Sequence, residues 1–579
     1  MKNEDVAKSL DKTADLLEID GADSFRVNSY RRAARSVKDA TEDVFQLAAE
    51  NRLTDLPGIG KGMSKHIQDF LTTGHIEILD ELEAKLPHGL PALLEIPGMG
   101  PKKVALVFKQ LGVGNLDDLK RIIESSEMAQ LPGLGEASVR KIAEGVAFLE
   151  SSHGRTPLGV ALPIAEEFAE AVRSLKGVKR VEIAGSLRRG CETIGDIDLL
   201  CEAANGETVV DGFTKLSAAR RVLAAGATKG SITVQVEGDR ELQIDLRVVE
   251  ADAFGAALQY FTGSKEHNVR LREKAIARKW RLNEYGLYDG EKRVAGKKED
   301  EIYKKLGLAW VPPELREDRG EFEAEGSFDS LISLDDIRGD LHMHTVASDG
   351  RNSIEEMAVA AKARGYEYIA ICDHSKSSVI ANGLSIERMK KHIEDIRTAD
   401  RNVKGITILA GCECDILPDG SMDFPDDILA ECDWVVASIH SAMTAGPTGK
   451  HGATQRTLAA MNNPYVCAIG HPTGRLINRR AAMELDMSAV VEAAVETKTM
   501  LEINASWQRL DLKDNHVRQA IEAGVTLVID TDAHHVDQLG QMPLGVTTAR
   551  RGGARKDQVV NTGTLAALRR WIAAKRKRA

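Results

Sequence analysis

From residue 337 onward the chain reads as seven apolar runs alternating with amphipathic stretches, the pattern of a wound β/α architecture. The runs end in DLHMHT, AICDH, LAGCE, VASIH, AIGH, LEINAS and VIDTDAH. Six of these seven ends carry a His, Asp or Glu of metal-ligand type on the C-terminal side. Parallel strands wound in this way gather their C-terminal ends on one face, where α/β barrels place their active sites. A lone histidine is most often a satisfied core residue, but a set distributed over successive strand ends calls for a common purpose. The candidates are His342, His344, Asp349, His374, Glu413, His440, His471, Asp532 and His534. His342 and His344 alternate on one strand and share a face.

A second constellation lies in residues 185–200, GSLRRGCETIGDIDLL. Asp196 and Asp198 flank Ile197, so in a strand both carboxylates point to one side while Ile197 enters the core. Two carboxylates on one face repel unless a cation sits between them, and hard oxygen ligands suit Mg²⁺ or Mn²⁺. Just upstream, the apolar run VEIAG turns through Gly185-Ser186. A strand turning there into a helix start offers backbone N–H groups and a hydroxyl to an anion, with Arg188 and Arg189 alongside. A third carboxylate, Asp245, stands between Ile244 and Leu246 in the alternating run ELQIDLRVV. Asp196, Asp198 and Asp245 together would hold two cations for in-line phosphoryl transfer.

In order and spacing, GSLRRG…GDIDLL, IDLR, Tyr260-Phe261-Thr262-Gly263-Ser264 and Asn283-Glu284-Tyr285 resemble the X-family DNA polymerases, over residues 1–315. The resemblance implies that Gly185, Ser186 and Arg189 bind the incoming triphosphate and that Gly195 lies in the turn before the aspartates. It places Asp245 beside the primer 3′-hydroxyl, Tyr260 and Phe261 beside the sugar next to Gly263, and Asn268 and Arg272 at the minor groove. Where relatives often carry an arginine before Ile244, this chain has Gln243. The segment DLHMHT…SDG and the histidine-rich set resemble the PHP domain, named for polymerase and histidinol phosphatase. That resemblance implies a distorted (βα)7 barrel holding two or three divalent ions, Mn²⁺ and/or Zn²⁺, for hydrolysis of phosphate esters. Arg475 is a candidate to hold the substrate phosphate, with Glu502 and Asn504 nearby.

The beginning of the chain reads differently. Val6, Leu10, Ala14 and Leu17 keep helical spacing, and Phe25–Arg35 is a basic helix carrying Tyr30. LPGIG at 56–60 recurs as IPGMG at 96–100 and LPGLG at 131–135, each before a helix, and these resemble the helix–hairpin–helix motif. Gly58, Gly60, Gly98, Gly100, Gly133 and Gly135 would let backbone N–H groups reach a phosphate, so DNA binding is expected to be sequence-independent. Arg26, Tyr30 and Arg32 are candidates to grip the 5′-phosphate of a gap. In X-family relatives the first domain can also be a 5′-deoxyribose-phosphate lyase with a Schiff-base lysine. Here His66 stands at that position, and an imidazole cannot form the imine, which argues against lyase activity.

The expected fold is therefore multidomain. It comprises a helical DNA-binding domain (1–84), a helix–hairpin–helix domain (85–150), an α+β nucleotidyltransferase palm (151–250), a thumb (251–318), an acidic linker (319–336) and an α/β barrel (337–579). The net charge of −11 is awkward for a nucleic-acid binder, so local patches matter more than the sum. Seven scattered cysteines, a charged N-terminus without a signal core and the lack of a membrane-length apolar run predict a cytoplasmic protein, and the resemblance implies a bacterial one, nucleoid-associated through DNA. The predicted function is gap-filling DNA polymerisation in repair with Mg²⁺ or Mn²⁺ in the palm, fused to a 3′→5′ exonuclease or phosphoesterase. Expected partners are gapped or primer-template DNA and deoxynucleoside triphosphates, with the chain a monomer. The alternative is a nucleotidyltransferase whose PHP half is structural.

Overall fold

A computed structural model describes all residues except 1–2, 41–42, 95, 97, 126, 153–154, 237–239, 324–325, 444–451 and 578–579. Pro97 of the second glycine motif therefore lies outside the described residues. The chain forms two compact units, residues 1–153 with 478–480 and residues 154–477 with 481–579. The first unit is helical. Helices α1 (Asn3–Asp20) and α2 (Ser24–Asp39) open it, and the side chain of Asp23 caps α2 by accepting from the Arg26 N–H. Val6, Leu10, Ala14 and Leu17 are buried as their spacing predicts. Gly58, Gly98 and Gly133 all take left-handed φ, at 78°, 89° and 79°. Gly60 and Gly100 then cap helices Lys61–Thr73 and Pro101–Leu111 with no side-chain cap, and a Cβ at either would meet nothing within 4 Å.

The second unit begins with the palm. Its sheet has strands β1 (Val178–Ile183), β2 (Asp196–Ala203), β3 (Arg221–Ala225), β4 (Lys229–Gln235) and β5 (Glu241–Val249), in the order β1-β2-β5-β4-β3. Only the β2–β5 pair is parallel. Ile197, Leu199, Ile244 and Leu246 turn to one face, beneath helices Leu158–Arg173 and Gly206–Thr214. The opposite face is left to the carboxylates, and Leu200 farther along it is covered by Phe254 and Leu258. The thumb follows, with helices Phe254–Thr262 and Lys265–Ile276 and a three-stranded antiparallel sheet. Glu299 ties it to the palm by pairing with Arg188 at 2.7 Å and Arg316 at 2.6 Å. Burial alone would raise that carboxyl, but Arg316 and Arg188 outweigh it and hold it at about 2.

The barrel strands are β6 (Gly339–Met343), β7 (Tyr368–Ile371), β8 (Thr407–Asp415), β9 (Trp434–Ser438), β10 (Ala468–Ile469), β11 (Met500–Asn504) and β12 (Leu527–Asp530). All seven are parallel and pair in chain order. The ring is nearly closed by the Met343–Ala533 bridge and by the His344 N–H donating to the Ala533 carbonyl at 2.8 Å. Strands buried on both faces explain the unbroken apolar runs of the sequence.

One expectation needs correction. The acidic stretch 319–336 was expected to be a linker, yet described residues of it pack against the thumb and the barrel. Glu321 accepts from His267 Nδ1 at 2.7 Å, Phe322 stacks on the His267 ring, Ile332 enters the barrel core, and the Arg319 guanidinium reaches Asp514 at 3.1 Å. Its apolar residues are spaced without period, so they anchor a non-repetitive chain that no periodicity signals. Palm and barrel share a core: Ile477, Leu510 and Leu544 of the barrel belong to the palm's hydrophobic cluster, with Trp507 packed against it.

Candidate metal centres

The palm site follows from strand register. Asp198 on β2 lies directly opposite Asp245 on β5, and Asp196 opposite Gln243. Ile197 and Ile244 between them are fully buried, which fixes the acids on the opposite face. Burial, then the charges of Asp196 and Asp245, raise the Asp198 carboxyl from 3.8 to about 7. Burial also works against Asp245, but hydrogen bonds from Ser231, Lys229 and Gln243 outweigh it and keep that group below its ordinary value. Lys229 stands 2.9 Å from Asp245 Oδ2, and Gln243 donates to Oδ1 at 2.8 Å. Lys229 and Ser231 were missed in the sequence, although their alternation on β4 aims them at the Asp245 face.

Around this face the expected nucleotide residues are gathered unevenly. Gly185 takes φ 63°, and a Cβ there would lie 2.1 Å from Asp198 Oδ2, so no other residue allows this approach. Ser186 follows on the short turn of helix Gly185–Arg188. Arg188 is occupied by Glu299, and Arg189 donates to Glu317 at 3.0 Å and to the Thr262 carbonyl at 2.6 Å. Gly195 precedes Asp196, and a Cβ on it would come within 3.2 Å of Arg155. Tyr260 and Phe261 meet edge to face at 5.2 Å, and Phe261 also lies under Arg247. Gly263 lets Arg189 approach, since a Cβ there would stand 3.0 Å from its Nη1. Asn268 is tied to the Tyr260 carbonyl and to Gln259, whereas Arg272 is exposed.

In the barrel all nine expected ligand residues converge at the C-terminal strand ends. Three overlapping groups have their ligand atoms within 4.8 Å of one another: His344, Asp349, His374 and His534; His342, His344 and Asp532; and His374, Glu413 and His440. His471 joins them through Glu413, at 2.9 Å. Neighbours turn the rings: Glu502 meets His342 Nδ1 at 2.6 Å, Asp415 meets His440 Nδ1 at 2.6 Å, and the Asp532 carbonyl meets His534 Nδ1 at 2.8 Å. The inward atoms His342 Nε2, His344 Nε2, Glu413 Oε2 and Asp532 Oδ1 are buried without a hydrogen-bond partner among the described residues. Unsatisfied lone pairs aimed at one another are what a divalent cation needs, so the donor set fits such ions.

The electrostatics agree. Burial opposes ionisation of Glu413 and Asp532, but surrounding imidazoles hold both carboxyls well below their ordinary values. His440 is opposed by burial yet lifted to about 9 by Glu413 and Asp415. Burial and the charges of His534 and His374 press His344 down to about 4. His471 and Asp532 hold left-handed backbone at φ 26° and 53°, a strain typical of functional positions.

Several single residues fall elsewhere than expected. Arg475 does not face the cluster; its guanidinium donates to the Arg509 and Leu510 carbonyls and pairs with Glu192 of the palm at 2.8 Å. Glu502 and Asn504 do lie at the site, Asn504 donating to Asp532 at 3.1 Å. Arg509, not anticipated from sequence, stands 3.5 Å from Asp532 Oδ2. In the helical unit Tyr30 is only 4% exposed and packs against His66, so it is a core residue rather than a phosphate contact; Arg26 and Arg32 are exposed. An amphipathic helix with an aromatic on either side of its polar boundary does not reveal which way that ring turns.

Comparisons with known proteins identify domains that carry many of these residues. Family models match at residues 1–76 (helix-hairpin-helix domain), 90–147 (SAM-like helix-hairpin-helix tandem), 257–317 (DNA polymerase beta thumb) and 340–506 (PHP domain). The DNA polymerase/3′-5′ exonuclease PolX of Bacillus subtilis is 39% identical over 98% of this chain and 98% of its own length. A probable phosphatase of Caldicellulosiruptor bescii is 31% identical over 34% of this chain and 81% of its own. One from Thermoanaerobacter sp. is 28% identical over 38% and 89%.

Proposed function

The chain belongs to the PolX family, the X-family DNA polymerases that carry a PHP domain, and on that premise we propose that it fills short gaps in DNA during repair and hydrolyses 3′ ends in its barrel. The observation that carries this reading is the presence of two ligand nests of different chemistry on one chain, an all-carboxylate one in register on β2 and β5 and an imidazole-rich one at the barrel mouth. Divalent ions, Mg²⁺ or Mn²⁺ in the palm and two or three Mn²⁺ and/or Zn²⁺ in the barrel, would supply charge neutralisation and acidify the attacking hydroxyl or water.

The protein's own groups do the rest. Asp196, Asp198 and Asp245 would hold the palm ions, with Asp245 orienting the primer 3′-hydroxyl. Ser186 and the backbone N–H groups after Gly185 receive the triphosphate, and Arg189 joins them once it leaves Glu317. Tyr260 and Phe261 wall the sugar, while Asn268 and Arg272 border the nascent pair. In the barrel, Glu502 and Asp415 fix His342 and His440 with their second nitrogens inward, and Arg509 adds positive charge beside Asp532. Gapped DNA and deoxynucleoside triphosphates are the partners. The glycine turns grip backbone phosphates, and the protein acts as a cytoplasmic monomer at the nucleoid. The buried inward atoms of His342, His344 and Glu413 disfavour the alternative in which the barrel is a mere support.

Primer extension on a gapped duplex and 3′-end hydrolysis, followed side by side, test the reading. Asp198→Ala should abolish extension and spare hydrolysis; His344→Ala should do the reverse. Extension by Asp198→Ala, or undiminished hydrolysis by His344→Ala, would remove the corresponding assignment.

A further inference from the structure

We propose that Arg509 is the residue that binds the scissile phosphate in the barrel, through its Nη groups to the non-bridging oxygens of the 3′-terminal phosphodiester. The proposal rests on the exonuclease reading above and adds a substrate contact to it.

Arg509 lies on the segment that follows β11, where the chain crosses the mouth of the barrel. Its side chain is 16% exposed, and its Nε stands 3.5 Å from Asp532 Oδ2. Its Nη1 is buried and has no hydrogen-bond partner among the described residues. A guanidinium carries five donors in a planar fork, and leaving one buried and unspent is unfavourable unless an acceptor arrives from outside. A hydrogen bond to Asp532 does not account for it, because Nη1 makes none and Asn504 already donates to Oδ2 of that carboxylate at 3.1 Å. A planar fork beside a nest of cation ligands is the arrangement that recognises a phosphate bidentately.

The surrounding backbone holds the fork in place. The Arg509 N–H donates to the Ser506 carbonyl at 2.8 Å, and its own carbonyl accepts from Arg475 Nε at 2.9 Å. Leu510 takes φ 41°, and Asp511 accepts from the Thr473 N–H at 2.9 Å. Arg475 thus positions the segment that presents Arg509, so the arginine singled out in the sequence acts one step removed from the phosphate.

The test uses the full chain loaded with Mn²⁺, with inorganic phosphate as the probe in titration calorimetry, beside elemental analysis, thermal melting and hydrolysis of a 3′ end. In Arg509→Gln, phosphate affinity should fall at least about tenfold and KM for the 3′ end should rise, while bound manganese, melting temperature and primer extension stay at wild-type levels. Arg509→Lys, which keeps the charge but not the fork, should recover part of the phosphate affinity. Unchanged phosphate affinity in Arg509→Gln would overturn the proposal. So would loss of manganese in both variants, which would make Arg509 a support for Asp532. If the wild-type chain bound phosphate in an Arg509-dependent way but hydrolysed no 3′ end, the exonuclease reading would fail while this contact stood.

Discussion

Asp198 is squeezed between two like charges, and its proton reports on the whole palm site. With its carboxyl raised to about 7 against an ordinary 3.8, the cation-free folded protein binds a proton that the unfolded chain releases. Stability of that form therefore declines as pH rises from about 4 to 7, the reverse of a salt-bridged acid. Ion binding must expel the same proton, so apparent Mg²⁺ affinity should fall about tenfold per pH unit below 7 and level off above it. Titrating Mg²⁺ by calorimetry at several pH values checks this, and a flat profile would contradict it. In the barrel the corresponding lever is Glu502, which aims His342. Glu502→Gln should weaken metal retention and 3′-end hydrolysis about 10–100-fold, as losses of such supporting partners do, and leave extension untouched. Equal hydrolysis by the variant at limiting Mn²⁺ would show that the carboxylate is dispensable.

At the scale of the element, the two glycines of each hairpin turn have different reasons to be glycine. Gly98 needs its left-handed φ of 89°, so Gly98→Ala should destabilise the helical unit by about 1–2 kcal/mol. Gly100 has ordinary backbone angles and open space where a Cβ would go. Gly100→Ala should therefore change stability by less than about 1 kcal/mol yet weaken binding to gapped DNA, because the methyl group lies where a phosphate must approach. Melting curves and a salt series of binding isotherms separate the two effects. The turns were legible in the sequence because glycine spacing is a local signal, and so were the strands carrying Asp198 and the histidines, because alternation and apolar runs are local too. What escaped is what depends on partners far along the chain. Lys229 meets Asp245 only through β-pairing, Arg189 meets Glu317 only through the thumb, and Phe322 and Ile332 anchor their acidic stretch without any repeat. Tyr30 and Arg475 were read on the correct elements but with the wrong orientation, which is set by tertiary packing that no spacing encodes.

At the scale of the molecule, palm and barrel are joined by polar as well as apolar ties. Arg551 of the barrel donates to the Arg189 carbonyl at 2.7 Å, to Glu317 at 3.0 Å and to Asp514 at 2.8 Å. Gly159 at the start of the palm accommodates Trp507, whose Cβ would lie 2.3 Å from a methyl group placed there. A chain ending at residue 336 would bare this surface, so it should melt at lower temperature than the full chain and extend primers less well. The full-length unit spanning palm and barrel should unfold in one transition, and two well-separated calorimetric peaks for it would contradict a common core.

The same seam bears on how a 3′ end would pass between the two ligand nests. Ile477, Leu510 and Leu544 are packed into the core of the polymerising half, so a swing of the barrel would have to break that core. On the proposed function a 3′ end would then have to leave one ligand nest and rebind at the other, so its hydrolysis would be an itinerant affair.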